Sequence, residues 1–128
     1  MTHRFPVRVY YEDTDLAGIV YYANYLKFIE RARSEWVKEL GIDQNRMKAE
    51  GLVFAVRRVE ADYLAPARFD DDLVVETRME PGSGARLVVR QEVKRGEVVL
   101  FSALVTIICM TPEGAVARLP AAIRRPVH

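Results

Sequence analysis

The sequence has little of two residue types on which many enzymes rely. It contains one cysteine, Cys109, and two histidines, His3 and His128, in 128 residues. A single cysteine cannot form an internal disulfide, which fits a reducing compartment such as the cytoplasm. Two histidines, each close to one end, are too few for a Ser-His or Cys-His nucleophile or for a histidine metal site. If the chain is an enzyme, carboxylates have to carry most of its acid–base chemistry.

The sequence also lacks an excess of charge of one sign and lacks long apolar runs. Nineteen Lys and Arg stand against 18 Asp and Glu, for a net charge of +1, and no basic run stands out. A nucleic-acid partner bound through charge is therefore not expected. No apolar run approaches the length of a membrane span, and the charged N-terminal stretch has no apolar signal segment, so a cytoplasmic location is expected.

What is present is a composition typical of a globular protein. Half of the residues are hydrophobic, and 128 residues suffice for one domain with a real core, so residues 1–128 are expected to form a single domain. Helical spacing of apolar residues predicts a long helix over 22–40 that Gly41 ends, and a short second helix within 42–51. Strand patterns cover five segments, which are 4–11, 52–64, 72–80, 85–95 and 97–110.

The order of these elements predicts the fold class. Strands and helices do not alternate regularly, so a doubly wound parallel sheet is disfavoured and an α+β fold with five mostly antiparallel strands is expected. Residues 111–128 are predicted to form a turn and an irregular tail. The last strand is long and nearly all apolar, and Phe28 widens the apolar stripe of the helix. Both features indicate more apolar surface than one small chain covers, so a homo-oligomer is expected.

Three carboxylates precede the long helix in "EDTDLAGIV". Asp13 and Thr14 are predicted to be capping residues, and Glu12 a solvated charge. Asp15 lies several residues before the helix, followed by mostly apolar residues that could enclose it. Such a carboxylate can act as a general base or a nucleophile, although capping is an equally good interpretation. Main-chain N–H groups at the helix start can bind the oxygen of a reacting carbonyl.

A longer stretch resembles a known family. The segment "VYYEDTDLAGIVYYANYLKFIERARSEWV" is similar to the signature of hot-dog-fold acyl-CoA thioesterases of the 4-hydroxybenzoyl-CoA thioesterase family, especially the branch associated with the Tol-Pal envelope system. The similarity continues through "EADYLAPARFDDDLVVETRM" and "RLVVRQEV", so it spans nearly the whole chain. It implies a hot-dog fold, with a helix from near Asn24 to Leu40 wrapped by a five-stranded antiparallel sheet. It also implies dimers that pair through their sheets and form tetramers, with active sites at the dimer interface.

The resemblance assigns roles to four residues. The catalytic carboxylate falls on Asp15, and the main-chain N–H that polarises the thioester carbonyl falls on Tyr22. Gly18 falls on the turn that the acyl group approaches, and Tyr11 matches a tyrosine beside the aspartate. One position departs from the Tol-Pal-associated pattern, because Tyr22 stands where that branch usually has histidine. A main-chain N–H survives this change, whereas a step that needs an imidazole does not.

The implied activity is hydrolysis of an acyl-CoA to a free acid and CoA, without a metal or a cofactor. Asp15 would either activate water or attack the thioester itself. For the CoA phosphates, charge alone suggests Arg86, Arg124 and Arg125, whose ordinary alternative is a solvated surface role. A non-catalytic module that binds acyl-CoA or an acyl carrier protein is the main alternative. A hot-dog dehydratase is disfavoured, since those enzymes typically use a histidine that this chain lacks internally.

Overall fold

One curved antiparallel sheet and one long helix make up most of the fold. The computed structural model describes residues 2–124 of the chain. The sheet order is β1-β3-β4-β5-β2, and β6 pairs with β5. The strands are β1 Thr2–Arg8, β2 Val53–Tyr63, β3 Asp72–Glu80, β4 Arg86–Arg95, β5 Val98–Met110 and β6 Val116–Ala117, and the helices are α1 Asn24–Glu39, α2 Gln44–Ala49 and α3 Ala121–Arg124.

Helix α1 packs against the concave side of the sheet, over β1, β3 and β4. Phe28, Ile29 and Ala32 are fully buried against apolar strand residues such as Val75 and Val89. Burial of each large apolar side chain stabilises the fold by about 1.5–3 kcal/mol, so this contact is the main source of stability. The predicted hot-dog arrangement of a helix wrapped by an antiparallel sheet is confirmed.

The buried stripe of α1 agrees with the predicted helical spacing in most positions. The buried residues are Tyr25, Phe28, Ile29, Ala32, Trp36 and Val37, whereas Tyr22 and Leu26, which the same spacing placed on this stripe, are exposed. The helix begins at Asn24, two residues later than the spacing predicted, because residues 21–23 form a turn in which Asn24 N donates to the Tyr21 carbonyl. Tyr22, which precedes the helix, and Leu26 are therefore left uncovered by the sheet.

Two other predicted segments needed correction. The first strand ends at Arg8, because Asp13 accepts a hydrogen bond from Tyr10 N at 2.9 Å and closes a 3₁₀ turn over Tyr11–Asp13. The C-terminal segment is not irregular as far as it is described, since β6 pairs with β5 and Ile123 of α3 is buried. The five predicted strands are present, and β6 is a short sixth strand. Arg125 and His128 lie outside the described residues.

Strand β2 forms one edge of the sheet and pairs only with β5. Its side chains are exposed from Val56 to Tyr63 in the single chain, and they include the large apolar residues Val56, Val59 and Tyr63. An exposed apolar edge strand is a template for pairing with another chain. No helix within residues 2–124 is long and apolar enough to cross a membrane.

Candidate active site

Asp15 lies in a tight hairpin that leads into α1. Thr14 and Val20 form an antiparallel bridge, and Asp15 N donates to the Ile19 carbonyl at 2.9 Å. Gly18 closes the turn by donating its N–H to the Asp15 carbonyl at 3.0 Å, and its φ of 77° is one that residues with a Cβ resist. The hairpin therefore holds Asp15 at a defined place before the helix, and Gly18 has the backbone role that the sequence predicted.

The two oxygens of the Asp15 carboxylate have different surroundings. Oδ1 accepts a hydrogen bond from Ala17 N at 2.9 Å, while Oδ2 has no hydrogen-bond partner within residues 2–124. The side chain is exposed, and so is the neighbouring Leu16, so the expected enclosure by the "LAGIV" residues is not found in the single chain. The hydrogen bond to Oδ1 thus orients the carboxylate, and Oδ2 remains available to act as a base or a nucleophile.

Asp13 is a capping residue, as the sequence predicted, but it caps a different element. Its buried carboxylate caps the 3₁₀ turn through Tyr10 N and does not cap α1. Its main-chain carbonyl accepts hydrogen bonds from Tyr21 N at 2.8 Å and from Asn24 Nδ2 at 3.1 Å. Asp13 therefore joins the hairpin to the start of the helix, whereas Glu12 is exposed as expected.

The start of α1 presents an unused main-chain donor at Tyr22. Ala23 is the N-cap residue and makes no side-chain cap, and no acceptor within residues 2–124 takes the Tyr22 N–H. Tyr22 directly precedes the N-cap, and the positive end of the helix dipole at this terminus favours a developing negative charge nearby. The structure thus brings Asp15, Gly18 and the Tyr22 N–H to one hairpin and the helix that follows it.

Tyr63 of β2 is a site residue that sequence reasoning missed. Its hydroxyl donates a hydrogen bond to the Tyr22 carbonyl at 2.9 Å. Its ring meets Tyr22, Tyr25 and Phe101 edge-on, with ring centroids 5.0–6.2 Å apart. Burial and then Tyr22 raise the pKa of Tyr63 above its ordinary value, so the hydroxyl stays protonated as a donor. No short-range pattern points to this contact, which joins residues 41 positions apart.

Tyr21 lies close enough to Asp15 to be affected by its charge. The pKa of Tyr21 is raised, mainly by the neighbouring Tyr22, whose ring centroid is 4.9 Å away, and to a smaller extent by burial and by the charge of Asp15. Tyr11, the residue that the resemblance suggested, stacks on Phe69 with ring centroids 4.2 Å apart. No hydrogen bond joins Tyr11 to the Asp15 carboxylate in the described part of the chain.

Comparison with known proteins supplies the family. The family model described as "Thioesterase superfamily" matches residues 17–102, which is more than half of the chain. The chain belongs to this superfamily. It is a thioester hydrolase with the hot-dog fold, which confirms the family that the sequence resembles.

Two sequence relatives and one solved structure are similar to this thioesterase over most of its length. "Acyl-CoA thioester hydrolase YbgC" of Escherichia coli is 43% identical over 110 residues, covering 85% of this chain and 82% of the relative. "Acyl-CoA thioesterase YbgC" of Haemophilus influenzae is 43% identical over 107 residues, covering 83% and 79%. The crystal structure of a probable thioesterase from Bartonella henselae has a TM-score of 0.89 and 39% identity, covering 94% of this chain and 100% of that one.

Of the predicted basic residues, Arg86 lies far from the Asp15 hairpin within one chain of the thioesterase. Arg86 is the first residue of β4. Arg95, the last residue of β4, donates a hydrogen bond to the Pro66 carbonyl, which lies beside the segment that pairs with the Asp15 hairpin. Nine residues of strand separate these ends by about 30 Å. Arg124 ends α3, and Arg125 lies outside the described residues. A basic residue that sequence reasoning missed is Arg68, whose main chain bridges to Ile19 of the hairpin.

Proposed function

We propose that this thioesterase hydrolyses acyl-CoA to a free carboxylic acid and CoA. The proposal is supported by the two relatives at 43% identity, whose names give this activity. For this chain, the proposal depends on one observation, the arrangement of the Asp15 carboxylate. Its Oδ1 accepts a hydrogen bond from Ala17 N, while its Oδ2 has no hydrogen-bond partner within residues 2–124. That carboxylate lies in the hairpin that leads into a helix start with an unused N–H.

In the proposed reaction, the Tyr22 N–H donates a hydrogen bond to the thioester carbonyl oxygen and stabilises the negative charge that develops there. Removal of one such donor typically costs about 10²–10³ in rate. Asp15 Oδ2 either takes a proton from the attacking water or attacks the carbonyl carbon itself, forming an anhydride that water then hydrolyses. Both routes expel CoA as the thiol and require no metal or cofactor.

The exposure of Asp15 suggests that the working site needs a second chain. In water, a hydrogen bond to a carbonyl is weakened by competition, so catalysis gains when the site is covered. We propose that two chains pair along β2, which pairs only with β5 within residues 2–124 and exposes the apolar side chains of Val56, Val59 and Tyr63, and that two such dimers form a tetramer. A role for Arg86 in binding CoA phosphates then requires that the site be shared between chains.

The alternative remains a binding module that holds acyl-CoA or an acyl carrier protein without hydrolysis. Tyr22 in place of the usual histidine is the feature that favours this alternative. Hydrolysis that depends on Asp15 would exclude it, whereas binding without turnover would support it. The family and the hydrolase relatives favour the enzyme.

Three further assignments complete the proposal. We propose that residues 1–128 form one hot-dog domain that works in the cytoplasm, where the single buried Cys109 stays reduced. Burial raises the pKa of the Cys109 thiol, which makes it unreactive rather than catalytic. The resemblance to the Tol-Pal-associated branch suggests a role in maintaining the cell envelope.

The test is Asp15→Asn, measured as thiol release from short, long and aromatic acyl-CoA substrates. Asn keeps an oxygen that can accept the Ala17 N–H, so the hairpin and the melting temperature should be preserved. If Asp15 is a base or nucleophile, the rate should fall by about 10²–10⁴-fold or more, while substrate binding changes little.

Asp13→Asn is the matched control, because Asp13 serves the 3₁₀ turn and its replacement keeps an acceptor for Tyr10 N. This variant should hydrolyse acyl-CoA at close to the parent rate. Near-parent activity of Asp15→Asn would show that Asp15 only shapes the turn and that hydrolysis uses another group. The binding-module alternative moves ahead if the parent binds acyl-CoA and releases no thiol.

A further inference from the structure

A polar pair interrupts the apolar inner face of the sheet beneath α1. Thr77 of β3 and Gln91 of β4 lie opposite each other in register, and both are completely buried. Their neighbours on the same face of the two strands are apolar and buried or half-buried, namely Leu73, Val75, Met79, Leu87, Val89 and Val93. A buried amide destabilises a core unless it is fully hydrogen-bonded, so this pair calls for a reason other than packing.

The hydrogen bonds of Gln91 fix its orientation. Its Nε2 donates to the Ile29 carbonyl of α1 and to Thr77 Oγ1, both at 2.9 Å. A main-chain carbonyl can only accept, so the nitrogen of the amide must face Ile29 and the oxygen must face away. That oxygen, Oε1, accepts a hydrogen bond from Arg33 Nη1 at 3.0 Å. The buried pair of Thr77 and Gln91 therefore holds the guanidinium of Arg33 in a fixed position.

Arg33 is a mostly buried cation, and Gln91, the residue that binds it, is neutral. Within residues 2–124, Gln91 is its one hydrogen-bond partner, and no carboxylate lies within salt-bridge distance of it. Burial lowers the pKa of the guanidinium, and the charge of Glu30 partly opposes this effect. Glu30 thus acts on Arg33 through its charge without forming an ion pair, and one of the five N–H donors of the guanidinium is used within residues 2–124.

Arg33 lines a cavity of about 190 Å³ between α1 and the strands β2, β4 and β5. Most of its wall is apolar, with Val37, Phe54, Leu87 and Ile107 among the lining residues, and Glu30 of α1 lines it as well. A guanidinium binds a carboxylate through two parallel hydrogen bonds, and the apolar wall suits a hydrocarbon chain. The chemistry that fits this cavity is therefore a carboxylate at the end of an apolar chain.

The cavity lies on a side of α1 that extends back toward the helix start. Leu26, in the first turn of α1, and Arg33 are seven positions apart, which places them on one side of the helix. Arg33 is nine residues beyond Asn24, so its Cα lies about 14 Å along the axis from the helix start. A substrate whose thioester is held at the helix start can extend its acyl group along this side toward Arg33.

We propose that Arg33 binds a carboxylate at the far end of the acyl group, so that this thioesterase prefers thioesters of dicarboxylic acids over those of simple fatty acids. The inference rests on the proposed function and names its substrate class. It assigns a specificity role to Arg33 and a positioning role to Gln91 and Thr77, and none of the three takes part in the bond-breaking step.

The experiment compares acyl-CoA pairs that match in carbon number and differ only at the far end. The pairs are adipoyl and hexanoyl, suberoyl and octanoyl, and sebacoyl and decanoyl. At the chain length that reaches Arg33, kcat/KM should favour the dicarboxylic member by about tenfold to a hundredfold. Arg33→Met, which keeps the length and removes the charge, should abolish this preference. Arg31→Met is the control, since Arg31 is exposed on the same helix and should leave the preference unchanged.

A second measurement separates this inference from the proposed function. Calorimetry measures the binding of free suberate and free octanoate, which needs no hydrolysis. The inference is supported if the parent binds suberate more tightly than octanoate and Arg33→Met weakens the binding of suberate. This result would support it even if no acyl-CoA is hydrolysed. Equal hydrolysis of both members at every length by the parent, or a preference that survives in Arg33→Met, overturns the inference and leaves the Asp15 proposal intact. The parent comparison decides the outcome even if Arg33→Met fails to fold.

Discussion

The hydroxyl of Tyr63 donates a hydrogen bond to the main-chain carbonyl of Tyr22 at 2.9 Å. This contact ties the edge strand β2 to the residue that precedes the N-cap of α1. It holds the peptide that follows Tyr22 in place, next to the N–H that the proposed reaction uses. An edge strand that another chain can pair with is thereby linked directly to the candidate active site.

Replacing Tyr63 with Phe should weaken catalysis without abolishing it. The ring contacts remain, and one hydrogen bond worth about 0.5–1.5 kcal/mol is lost. We expect kcat for acyl-CoA hydrolysis to fall by up to about tenfold with little change in KM, because the helix start is less well held. Tyr10→Phe, which removes a hydroxyl from another exposed tyrosine, is the control. An unchanged kcat in Tyr63→Phe would show that this contact does not position the site.

At Tyr22, the main chain and the side chain can be tested separately. Tyr22→Phe keeps the N–H and should retain most activity. Tyr22→Pro removes this N–H in the turn ahead of the helix and should lower kcat by about 10²-fold or more. Thermal melting of both variants identifies any loss caused by unfolding. A large loss in Tyr22→Phe would instead assign a direct role to the Tyr22 hydroxyl.

A cluster on the outer face of the sheet should make stability depend on acid pH. Glu76 is bonded by Lys94 Nζ at 2.8 Å and by Arg4, and these contacts, the Lys94 hydrogen bond first, hold the pKa of Glu76 below its ordinary value. A carboxyl whose pKa is lower in the folded state stabilises the fold above its unfolded pKa of about 4.3, and this stabilisation is lost as the pH falls through the folded value. The melting temperature should therefore decline more steeply below about pH 4.3 in the parent than in Glu76→Gln.

Glu12→Gln is the control for that experiment, because Glu12 is exposed and makes no ion pair within residues 2–124. It should reproduce the pH profile of the parent. If Glu76→Gln also follows the parent profile, the Lys94 and Arg4 contacts contribute nothing to the acid sensitivity of the fold.

Assembly can be tested on the edge strand. The parent should behave as a dimer or larger species in light scattering at micromolar concentration. Val59→Glu places a charge on the apolar face of β2 and should shift the chain toward monomer and lower its activity. Val98→Glu changes a comparably exposed valine at the start of β5 and should leave the assembly intact. A parent that is both monomeric and active would show that one chain contains the whole site.

The order and type of the secondary-structure elements could be predicted from the sequence, because they depend on local patterns. Strand β3 at Asp72–Glu80 was predicted to the residue, and α1 ends just before Gly41, whose φ is 85°. Gly18 likewise forms the predicted turn. Apolar periodicity and glycine turns act over a few residues, so they can be read without knowledge of the rest of the chain.

Local patterns failed where the backbone had two ways to satisfy its hydrogen bonds. The residues after Arg8 look like a continued strand, but the Asp13 carboxylate takes the Tyr10 N–H and turns the chain. The short strand β6 was missed because a two-residue strand carries no periodicity, and it forms only because β5 is there to pair with it.

The candidate site was determined in part by the sequence and in part by tertiary structure. The sequence alone indicated Asp15, Gly18 and Tyr22, because they lie within eight positions of one another in a long family signature. Only the tertiary structure joined Tyr63 to Tyr22 and Gln91 to Arg33, across 41 and 58 positions of sequence. It also showed Asp15 to be exposed rather than enclosed. These contacts depend on which strands lie next to each other and in what register, and that is decided by how the whole sheet closes over α1.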